Sequence, residues 1–362
     1  MTVVIQADRL EALVGEIFAA AGCSEVECGR IARRLVAANL TGHDSHGVVR
    51  THLYVQSLAH GAQFADVTVE VLVDADAFAL IDGHYGMGQT VGEQAVQLGI
   101  DKARASGVSV IGLRHAGHLG RIGDWAEMAA DAGLVSLHLV NVAGSQLVAP
   151  FGAVDRRMGT NPVAIGVPRP DGPPLLLDFA TSVVAEGKVQ VALRGGPPVP
   201  VGALVSPEGD LTDDPVVLYG EVPPGSVPNP MRGAGALRAM GEHKGSGLSM
   251  MCEILAGVLT GSGTAAERPF CNGMLSIYLT PSAFGAADDF AAGVREYVEW
   301  FTSARPVGEG LVFTPGEPER LRREERLRDG VPLTEGVWES IRTAAGEVGI
   351  DTDRLEELAA PA

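Results

Sequence analysis

Residues 78–113 of the chain read FALIDGHYGMGQTVGEQAVQLGIDKARASGVSVIGL, and the order of patterns in this stretch decides the fold class. Two β-prone runs, at residues 78–81 and 108–113, flank a helical pattern at residues 92–105. Further β-prone runs follow at residues 135–141, 175–178 and 275–279. Because helical stretches alternate with these runs, the sequence predicts an α/β region.

Helical patterns occupy both ends of the chain. Near the start, Asp8 with Glu11 and Ser24 with Glu27 have the spacing of capping boxes before apolar residues at helical intervals. Near the other end, an apolar stripe recurs at helical spacing, at Phe290, Val294, Tyr297, Val298 and Phe301. We expect the two helical ends to pack together. Residues 195–230 are rich in Pro and Gly and predict turns and short strands.

Composition limits the partners of the protein. A chain of 362 residues with 46% hydrophobic residues suggests two globular domains. Its 27 basic and 45 acidic side chains give a net charge of −18, which disfavours binding to nucleic acid and to acidic membranes. The first seven residues lack a leader pattern, and no apolar run reaches the roughly 20 residues that cross a bilayer. We therefore expect a cytoplasmic protein.

The cysteines fit a reducing compartment. They show no CxxC spacing, and such sparse cysteines predict reduced, buried thiols. They are Cys23, Cys28, Cys252 and Cys271.

One glycine-rich loop has a position that suits a dinucleotide-binding turn. Gly86, Gly88 and Gly92 follow a predicted strand and precede a helix, but they read GxGxxxG instead of GxGxxG. The pattern therefore favours a flexible turn over a Rossmann loop.

The first polar cluster with a chemical reading covers residues 39–47, with Arg50 shortly after it. A histidine exchanges protons near neutral pH, and an arginine can hold a carboxylate with two parallel hydrogen bonds. A 2-oxo acid needs both groups. The alternative is a helix C-terminus whose His and Ser side chains bond exposed carbonyls, and His43 suits that structural role better than His46.

Two further clusters lie where β-prone runs end. In residues 114–121, Gly117 and Gly120 allow close backbone approach, and the following helix start suits an anion such as a pyrophosphate. The alternative there is a tight turn with an exposed histidine. In residues 177–182, Asp178 could orient a histidine, or it could cap a helix.

Lys244 belongs to a fourth cluster, residues 241–247, just before an apolar helix. A lysine at a helix start is suited to contact a phosphate or the nicotinamide ribose.

Two chemistries other than redox remain as alternatives. His43 with His46 and His115 with His118 form two HxxH pairs, but glycines interrupt or flank them and the glutamate of a HExxH hydrolase is absent. We expect no metal. A hydrolase triad of Ser45, His46 and Asp178 is disfavoured because the serine directly precedes its base and no GxSxG elbow occurs.

Taken together, the segments resemble the malate/L-lactate dehydrogenase family of non-Rossmann NAD(P)-dependent oxidoreductases, and the match runs almost end to end. Six motifs occur in the family's order: Ala38-Asn39-Leu40-Thr41-Gly42-His43-Asp44-Ser45-His46-Gly47, His118-Leu119-Gly120, Gly159-Thr160-Asn161-Pro162, Leu177-Asp178-Phe179-Ala180-Thr181-Ser182, Lys244-Gly245 with Glu253-Ile254-Leu255, and Pro315-Gly316-Glu317.

The resemblance implies a fold that periodicity alone does not. It implies a mixed, mainly antiparallel sheet that binds the cofactor, with residues 76–285 forming an NAD(P)-binding α/β domain that includes the excursion at about 195–230. Residues 1–75 and 286–362 would form one discontinuous helical domain, and the protein would be a homodimer.

The resemblance also implies the site residues. His46 would be the catalytic acid/base with Ser45 and Asp178 as relay partners, although some members have their proton acceptor at the position of His118. Arg50 and Thr160 would bind the substrate. The cofactor, NAD or NADP, would contact His46, Gly120, Arg121, Ile122, Asp178, Phe179, Ala180, Thr181, Lys244, Asn272, Pro315, Gly316 and Glu317.

Details such as Gly120-Arg121-Ile122-Gly123 and Cys271-Asn272 look most like a branch of the family with broad 2-oxo acid use. Two departures leave the substrate open: Ser246 stands where a larger residue is usual, and Val205-Ser206-Pro207 replaces a stretch that commonly carries an aspartate. Since relatives also reduce cyclic imines of amino acids, a ketimine reductase is the nearest alternative to a hydroxy acid dehydrogenase, and a histidine-ligated metal hydrolase is a more distant one.

Overall fold

The computed structural model describes residues 2–193, 195–222, 228–266 and 269–359. In these residues the strands are β1 (Thr2–Ile5), β2 (Glu70–Asp74), β3 (Phe78–Asp82), β4 (Val108–Ala116), β5 (Val135–Ala143), β6 (Val148–Ala149), β7 (Val163–Val167), β8 (Leu175–Phe179), β9 (Leu204–Val205), β10 (Leu211–Thr212), β11 (Ala236–Arg238), β12 (Cys271–Leu279) and β13 (Val331–Thr334).

The helices are α1 (Ala7–Ala20), α2 (Glu25–Leu40), α3 (Thr51–Ala59), α4 (Gly88–Ser106), α5 (Gly123–Asp131), α6 (Glu186–Leu193), α7 (Val216–Tyr219), α8 (His243–Cys252), α9 (Ala287–Thr302), α10 (Glu317–Asp329), α11 (Glu335–Glu347) and α12 (Thr352–Ala359). Short 3-10 turns form at Asp44–His46, Val48–Arg50 and Pro281–Ala283, and α8 continues as a π-helical segment, Glu253–Val258.

A seven-stranded mixed sheet forms the centre of the molecule, in the order β2-β3-β4-β12-β5-β7-β8. Only β3 and β4 run parallel to each other, and the other neighbours pair antiparallel. Helix α4 makes the crossover between the parallel pair. It packs closely because a Cβ at Gly99 would lie 2.2 Å from the Tyr278 ring. The expected non-Rossmann, mainly antiparallel α/β sheet is therefore confirmed.

The two ends of the chain pack together, as expected, but through α11 and α12 and not through the apolar stripe of residues 290–301. One buried apolar cluster combines α1 and α2, through residues such as Leu13 and Ile31, with α11 and α12, through residues such as Ile341 and Leu355. Strands β1 and β13 pair antiparallel beside it. The domain boundaries stay a prediction, and β2, which falls inside the range assigned to the helical domain, pairs with β3.

Helix α9 differs from the other C-terminal helices. Its predicted apolar stripe forms, but none of its residues is buried, and Tyr297 and Trp300 are 61% and 69% exposed. This helix therefore presents an apolar face at the surface of the chain.

The Pro- and Gly-rich stretch forms turns and short strands, as its composition predicts. Strands β9, β10 and β11 join β6 in a four-stranded sheet. Arg156 holds the excursion by donating hydrogen bonds to the carbonyls of Leu218, Pro230, Gly233 and Gly235.

All four cysteines are buried, as expected. None of the described helices has the length and hydrophobicity that a membrane crossing requires.

Candidate active site

The segment with the paired histidines, residues 43–50, follows α2 and is called the histidine loop here. Two 3-10 turns shape it, and Asn39 at the end of α2 holds both. Asn39 Oδ1 accepts from Val48 N at 2.8 Å, and Asn39 Nδ2 donates to Asp44 Oδ1 at 2.6 Å. A Cβ at Gly47 would lie 2.1 Å from Asn39 Oδ1, so this close approach needs glycine. The loop is thus fixed to the end of a buried helix.

The structure brings His46 of this loop and His118 at the end of β4 together. Their rings stack with centroids 5.5 Å apart and an interplanar angle of 19°. Ser45 Oγ lies 3.0 Å from His46 Nδ1, and Tyr54 Oη lies 2.5 Å from His118 Nδ1. Gln89 Nε2 donates to Tyr54 Oη at 3.2 Å. Each imidazole therefore has one ring nitrogen engaged by a neighbouring hydroxyl.

Both imidazoles are held neutral. Burial, followed by the nearby guanidinium of Arg50, lowers the pKa of His46 to about 3. Burial, Arg50 and His46 lower the pKa of His118 well below its usual value. A neutral imidazole in such a site can accept a proton at neutral pH.

Arg50 is anchored beside these rings. Its Nε donates to the carbonyl of Ser45 at 2.6 Å, while no described residue hydrogen-bonds to its Nη atoms. A guanidinium with its terminal nitrogens free is suited to bind a carboxylate in a bidentate manner. The expected substrate clamp therefore lies next to the expected acid/base.

Asp178 lies within β8, close to the start of α5. Its Oδ2 accepts from Gly123 N at 2.8 Å and lies 3.8 Å from Arg121 Nε, and among the described residues no hydrogen bond joins Asp178 to His46. Asp178 is not the N-cap residue of a helix, since it belongs to a strand. Its role as a relay partner of His46 stays a prediction.

The predicted cofactor segments converge at one end of the large sheet. Asn272 Oδ1 accepts from Leu119 N at 2.9 Å, which places β12 beside the turn that leads into the predicted contacts. Thr181 N donates to Thr160 O at 2.9 Å, so the strand end of β8 lies against the segment with the predicted substrate contact. The turn residues Gly120, Arg121 and Ile122 are buried, whereas Phe179 and Ala180 are half-buried.

Two more segments join this region. Leu176 N donates to Pro315 O at 3.1 Å, so the turn of Pro315, Gly316 and Glu317 lies on β8. Met240 N donates to Thr181 O at 2.8 Å, and Lys244 follows a few residues later as an exposed side chain at the start of α8. The contacts of these segments with the cofactor stay a prediction.

Comparisons with known proteins agree with this geometry. The sequence profile described as malate/L-lactate dehydrogenase matches residues 5–342. Hydroxycarboxylate dehydrogenase B of Escherichia coli O157:H7 is 38% identical over 357 residues, which cover 97% of this chain and 96% of that protein. The chain belongs to the malate/L-lactate dehydrogenase family.

Other members of the family show its range. A Delta(1)-pyrroline-2-carboxylate/Delta(1)-piperideine-2-carboxylate reductase of Pseudomonas putida is 33% identical, covering 93% of this chain and 96% of that protein. The solved structure of malate dehydrogenase from Pyrococcus horikoshii OT3 superposes with a TM-score of 0.85 at 29% identity and covers 97% of each chain. Family membership thus agrees with the fold and leaves the substrate open.

In this family member, the side chain of Arg121 does not face open space. It is 4% exposed, and its Nη1 donates to Asp124 at 2.8 Å and lies 3.4 Å from Glu127. The contact between Arg121 and the cofactor stays a prediction, and in this structure the guanidinium is held by two carboxylates.

The sequence patterns did not single out Tyr54 and Gln89, and Glu253 was named only as part of a family motif. Tyr54 lies four residues after Arg50, a helical spacing that places both on one face and could have indicated it. Gln89 and Glu253 are buried polar residues in apolar helices, at 1% and 7% exposure, and burial of this kind requires partners. That requirement was the available signal.

The two histidines of each HxxH pair lie in different surroundings. His43 Nε2 lies 3.8 Å from Glu319, and His115 Nδ1 lies 3.1 Å from Asp82, while His46 and His118 stack on each other. Across the described residues no group of three or more His, Cys, Asp or Glu is arranged to hold a metal ion.

One argument against a hydrolase was wrong. The sequence reasoning held that a serine directly before its base hardly faces it, yet Ser45 and His46 lie in hydrogen-bond contact because the 3-10 turn folds one side chain back on the next. Among the described residues no carboxylate hydrogen-bonds to His46, so this pair has no third member of a triad.

Proposed function

We propose that the protein is an NAD(P)-dependent oxidoreductase that interconverts 2-hydroxy acids and 2-oxo acids. The observation that carries the proposal is the pair of neutral imidazoles, His46 and His118, beside an anchored Arg50 with free terminal nitrogens. A 2-hydroxy acid presents a carboxylate and a hydroxyl on adjacent carbons, and this arrangement offers a partner for each. Family membership supports the redox chemistry.

In the proposed mechanism, Arg50 binds the substrate carboxylate and orients C2. His46 takes the hydroxyl proton during oxidation and returns it during reduction. Since Ser45 engages Nδ1 of His46, Nε2 is the nitrogen left for this exchange. Tyr54 fixes His118 in the same way, so His118 either lines the site or shares the proton. Asp178, which accepts from Gly123 N in this structure, stays the expected relay partner of His46.

The chain has a place that fits a nicotinamide cofactor. When bound, the cofactor would accept a hydride from C2 or donate one to it. Two glycines allow the backbone to approach the expected cofactor closely, because each has a positive φ that other residues rarely adopt. They are Gly120, which is buried with φ +72°, and Gly316, which has φ +87° and packs on Leu176. Lys244, exposed at a helix start, would suit a phosphate. NAD and NADP both remain open.

The remaining expectations belong to the same proposal. The substrate is a small 2-oxo or 2-hydroxy acid, and the protein acts in the cytoplasm as a homodimer. The exposed apolar face of α9 supports a homodimer, because apolar patches of this kind mark interaction surfaces.

A cyclic ketimine reductase is the second candidate, favoured by the similarity to the Pseudomonas putida reductase. The same Arg50 would bind the carboxylate on the ring, and a histidine would donate the proton that the imine nitrogen takes up on reduction. A screen of NADH and NADPH oxidation with pyruvate, oxaloacetate, aryl pyruvates and piperideine carboxylate separates the two candidates. Turnover of the imine alone would favour the second one.

The acid/base assignment is tested with His46→Ala and His118→Ala. Loss of a proton-transfer group lowers kcat by roughly 10² to 10⁴. We expect that loss for His46→Ala, with cofactor affinity much less affected. An active His46→Ala variant together with an inactive His118→Ala variant would reverse the assignment. Stoichiometric zinc without nicotinamide binding would instead support a metal hydrolase.

A further inference from the structure

Helix α10 lies against the histidine loop, and Arg326 makes the main contact. Its Nη1 donates to Asp44 Oδ1 at 2.6 Å, and its Nη2 donates to Asp44 Oδ2 at 3.1 Å. Nη1 also donates to the carbonyl of Asn39. One guanidinium thus joins the end of α2 to the first turn of the loop.

This contact differs from an ordinary surface ion pair. The Arg326 side chain is only 12% exposed, and its planar fork binds the carboxylate with two parallel hydrogen bonds. The other arginines near the end of α10 behave differently: Arg328, for example, pairs with its neighbour Asp329, and both are exposed. Arg326 is therefore held in one orientation by the loop itself.

A displacement of Asp44 would be transmitted to the reacting groups through the backbone hydrogen bonds of the histidine loop. His46 N donates to His43 O at 2.8 Å, and Gly47 N donates to Asp44 O at 3.2 Å. Asn39 also binds Val48 N, so both turns depend on the two residues that Arg326 contacts. A shift at this point moves the His46 ring and the backbone that anchors Arg50.

We propose that Arg326 is a positioning residue that sets the histidine loop, and through it His46 and Arg50, in the geometry for hydride and proton transfer. This inference rests on the proposed function for its kinetic consequences. Its structural part, an ordered loop, stands independently. A second contact from α10 reaches the same loop, since Glu319 lies 3.8 Å from His43.

The test uses Arg326→Ala and Arg326→Lys in the full-length chain, with Arg328→Ala as the matched control on the same helix. Misplacing reacting groups by about 1 Å costs roughly 10² in rate, so we expect kcat of Arg326→Ala to fall by roughly 10- to 100-fold. The kcat of Arg326→Lys should fall less, because an ammonium can still pair with Asp44, although it cannot form the two parallel hydrogen bonds of a guanidinium. Arg328→Ala should match the wild type.

Three readouts separate positioning from general damage. Cofactor affinity of Arg326→Ala should match that of the wild type. Its unfolding midpoint should fall, because Asp44 and the carbonyl of Asn39 lose their donor, so activity is measured at a temperature well below that midpoint. Added guanidinium ion, below denaturing concentrations, should restore part of kcat in Arg326→Ala and not in Arg328→Ala. Amide exchange across residues 46–50 should accelerate only in the Arg326 variants.

Unchanged kcat together with unchanged amide exchange in Arg326→Ala would overturn the proposal. A loss of activity that follows a lowered unfolding midpoint, with no rescue by guanidinium, would overturn it as well. If the wild type reduces none of the screened substrates, the proposed function fails, and amide exchange of the loop still decides the role of Arg326.

Discussion

Glu253 is the buried group whose replacement has the most clearly defined consequence. It is 7% exposed, and only N–H donors surround its carboxylate. Oε1 accepts from Asn161 Nδ2 at 2.8 Å and from Gly159 N at 3.2 Å. Oε2 accepts from Ala265 N at 3.0 Å and from Asn141 Nδ2 at 3.2 Å. A group that can only accept is therefore required here.

Glu253→Gln keeps the size of the side chain but replaces one oxygen with an NH₂ group. Whichever way the amide turns, two buried donors then face another donor and lose their hydrogen bond. Each unsatisfied buried group costs about 1–3 kcal/mol, so the free energy of unfolding should fall by about 2–6 kcal/mol. The substitution should also loosen the segment around Thr160.

Equilibrium unfolding in urea, followed by tryptophan fluorescence, measures this change. Glu324→Gln is the matched control, because Glu324 is 58% exposed and pairs with Arg320 on the same helix. Exposed ion pairs contribute about 0–1 kcal/mol, so the control should stay close to the wild type. If Glu253→Gln is as stable as Glu324→Gln, the argument from unsatisfied donors is wrong.

Three more predictions follow from single groups. Because His46 has a pKa lowered to about 3 by burial and by nearby cations, it stays neutral, and kcat/KM for hydroxy acid oxidation should be flat from about pH 8 to about pH 6. A decline centred on the usual histidine pKa would contradict this. Burial also lowers the pKa of His138 to about 3, so the unfolded chain takes up a proton below about pH 6.5 that the folded protein refuses. The free energy of unfolding should then decrease as the pH falls through this window, by at most about 1.4 kcal/mol per pH unit from this group, and His138→Gln should reduce that slope in urea unfolding at several pH values. An unchanged slope would refute it. Finally, Gly47→Ala places a methyl group 2.1 Å from Asn39 Oδ1 while its φ of −87° suits alanine, so a steric clash alone should destabilise the protein by about 1–3 kcal/mol and lower kcat, whereas Gly15→Ala, where a Cβ meets nothing, should not.

The β-prone runs predicted five of the seven strands of the large sheet and missed β2 and β7. The run at residues 108–113 begins β4, but the strand continues through Ala116, because Ala116 pairs with Asn272 of β12. The residues of β2 are all exposed, so no buried face marks this strand in the sequence. Tertiary pairing supplies what propensity does not.

The order of the strands was beyond the reach of local patterns. β12 lies between β4 and β5 although it follows both in sequence by more than a hundred residues. Nothing in a run of alternating residues states which distant run it pairs with. The mainly antiparallel order was available only from the resemblance.

The candidate site was predicted in part. His46, His118 and Arg50 were recognised because polar residues bracketed by glycine stand out in apolar sequence. The contact of Asp178 with Gly123 N was not predicted, because the sequence does not show that the start of α5 lies beside β8. Tyr54 was overlooked, since an aromatic residue at helical spacing usually means core.

The polar network around Glu253 shows what a stricter reading could have inferred. Asn141, Asn161 and Asn272 are each almost fully buried, and each interrupts an apolar stretch of sequence. Because an unpaired buried amide or carboxylate costs stability, each of these residues needs a hydrogen-bond partner. Several such residues in one chain are therefore expected to bond to each other. Which pairs form depends on β12 lying beside β5, where Asn272 Nδ2 donates to Asn141 O at 3.0 Å.

This network also includes a residue, Asn161, whose backbone and side chain are held in an unfavourable arrangement. Asn161 has φ +34°, and its Oδ1 has no hydrogen-bond partner among the described residues. Both features cost stability, and such costs persist where the surrounding contacts hold a residue in place. Asn161 directly follows Thr160, whose carbonyl accepts from Thr181 at the strand end of β8. An apolar core at this end of the sheet would be more stable, but it would not fix the backbone around Thr160 and Asn272 through directional hydrogen bonds. The proposed substrate and cofactor must be aligned against this part of the chain.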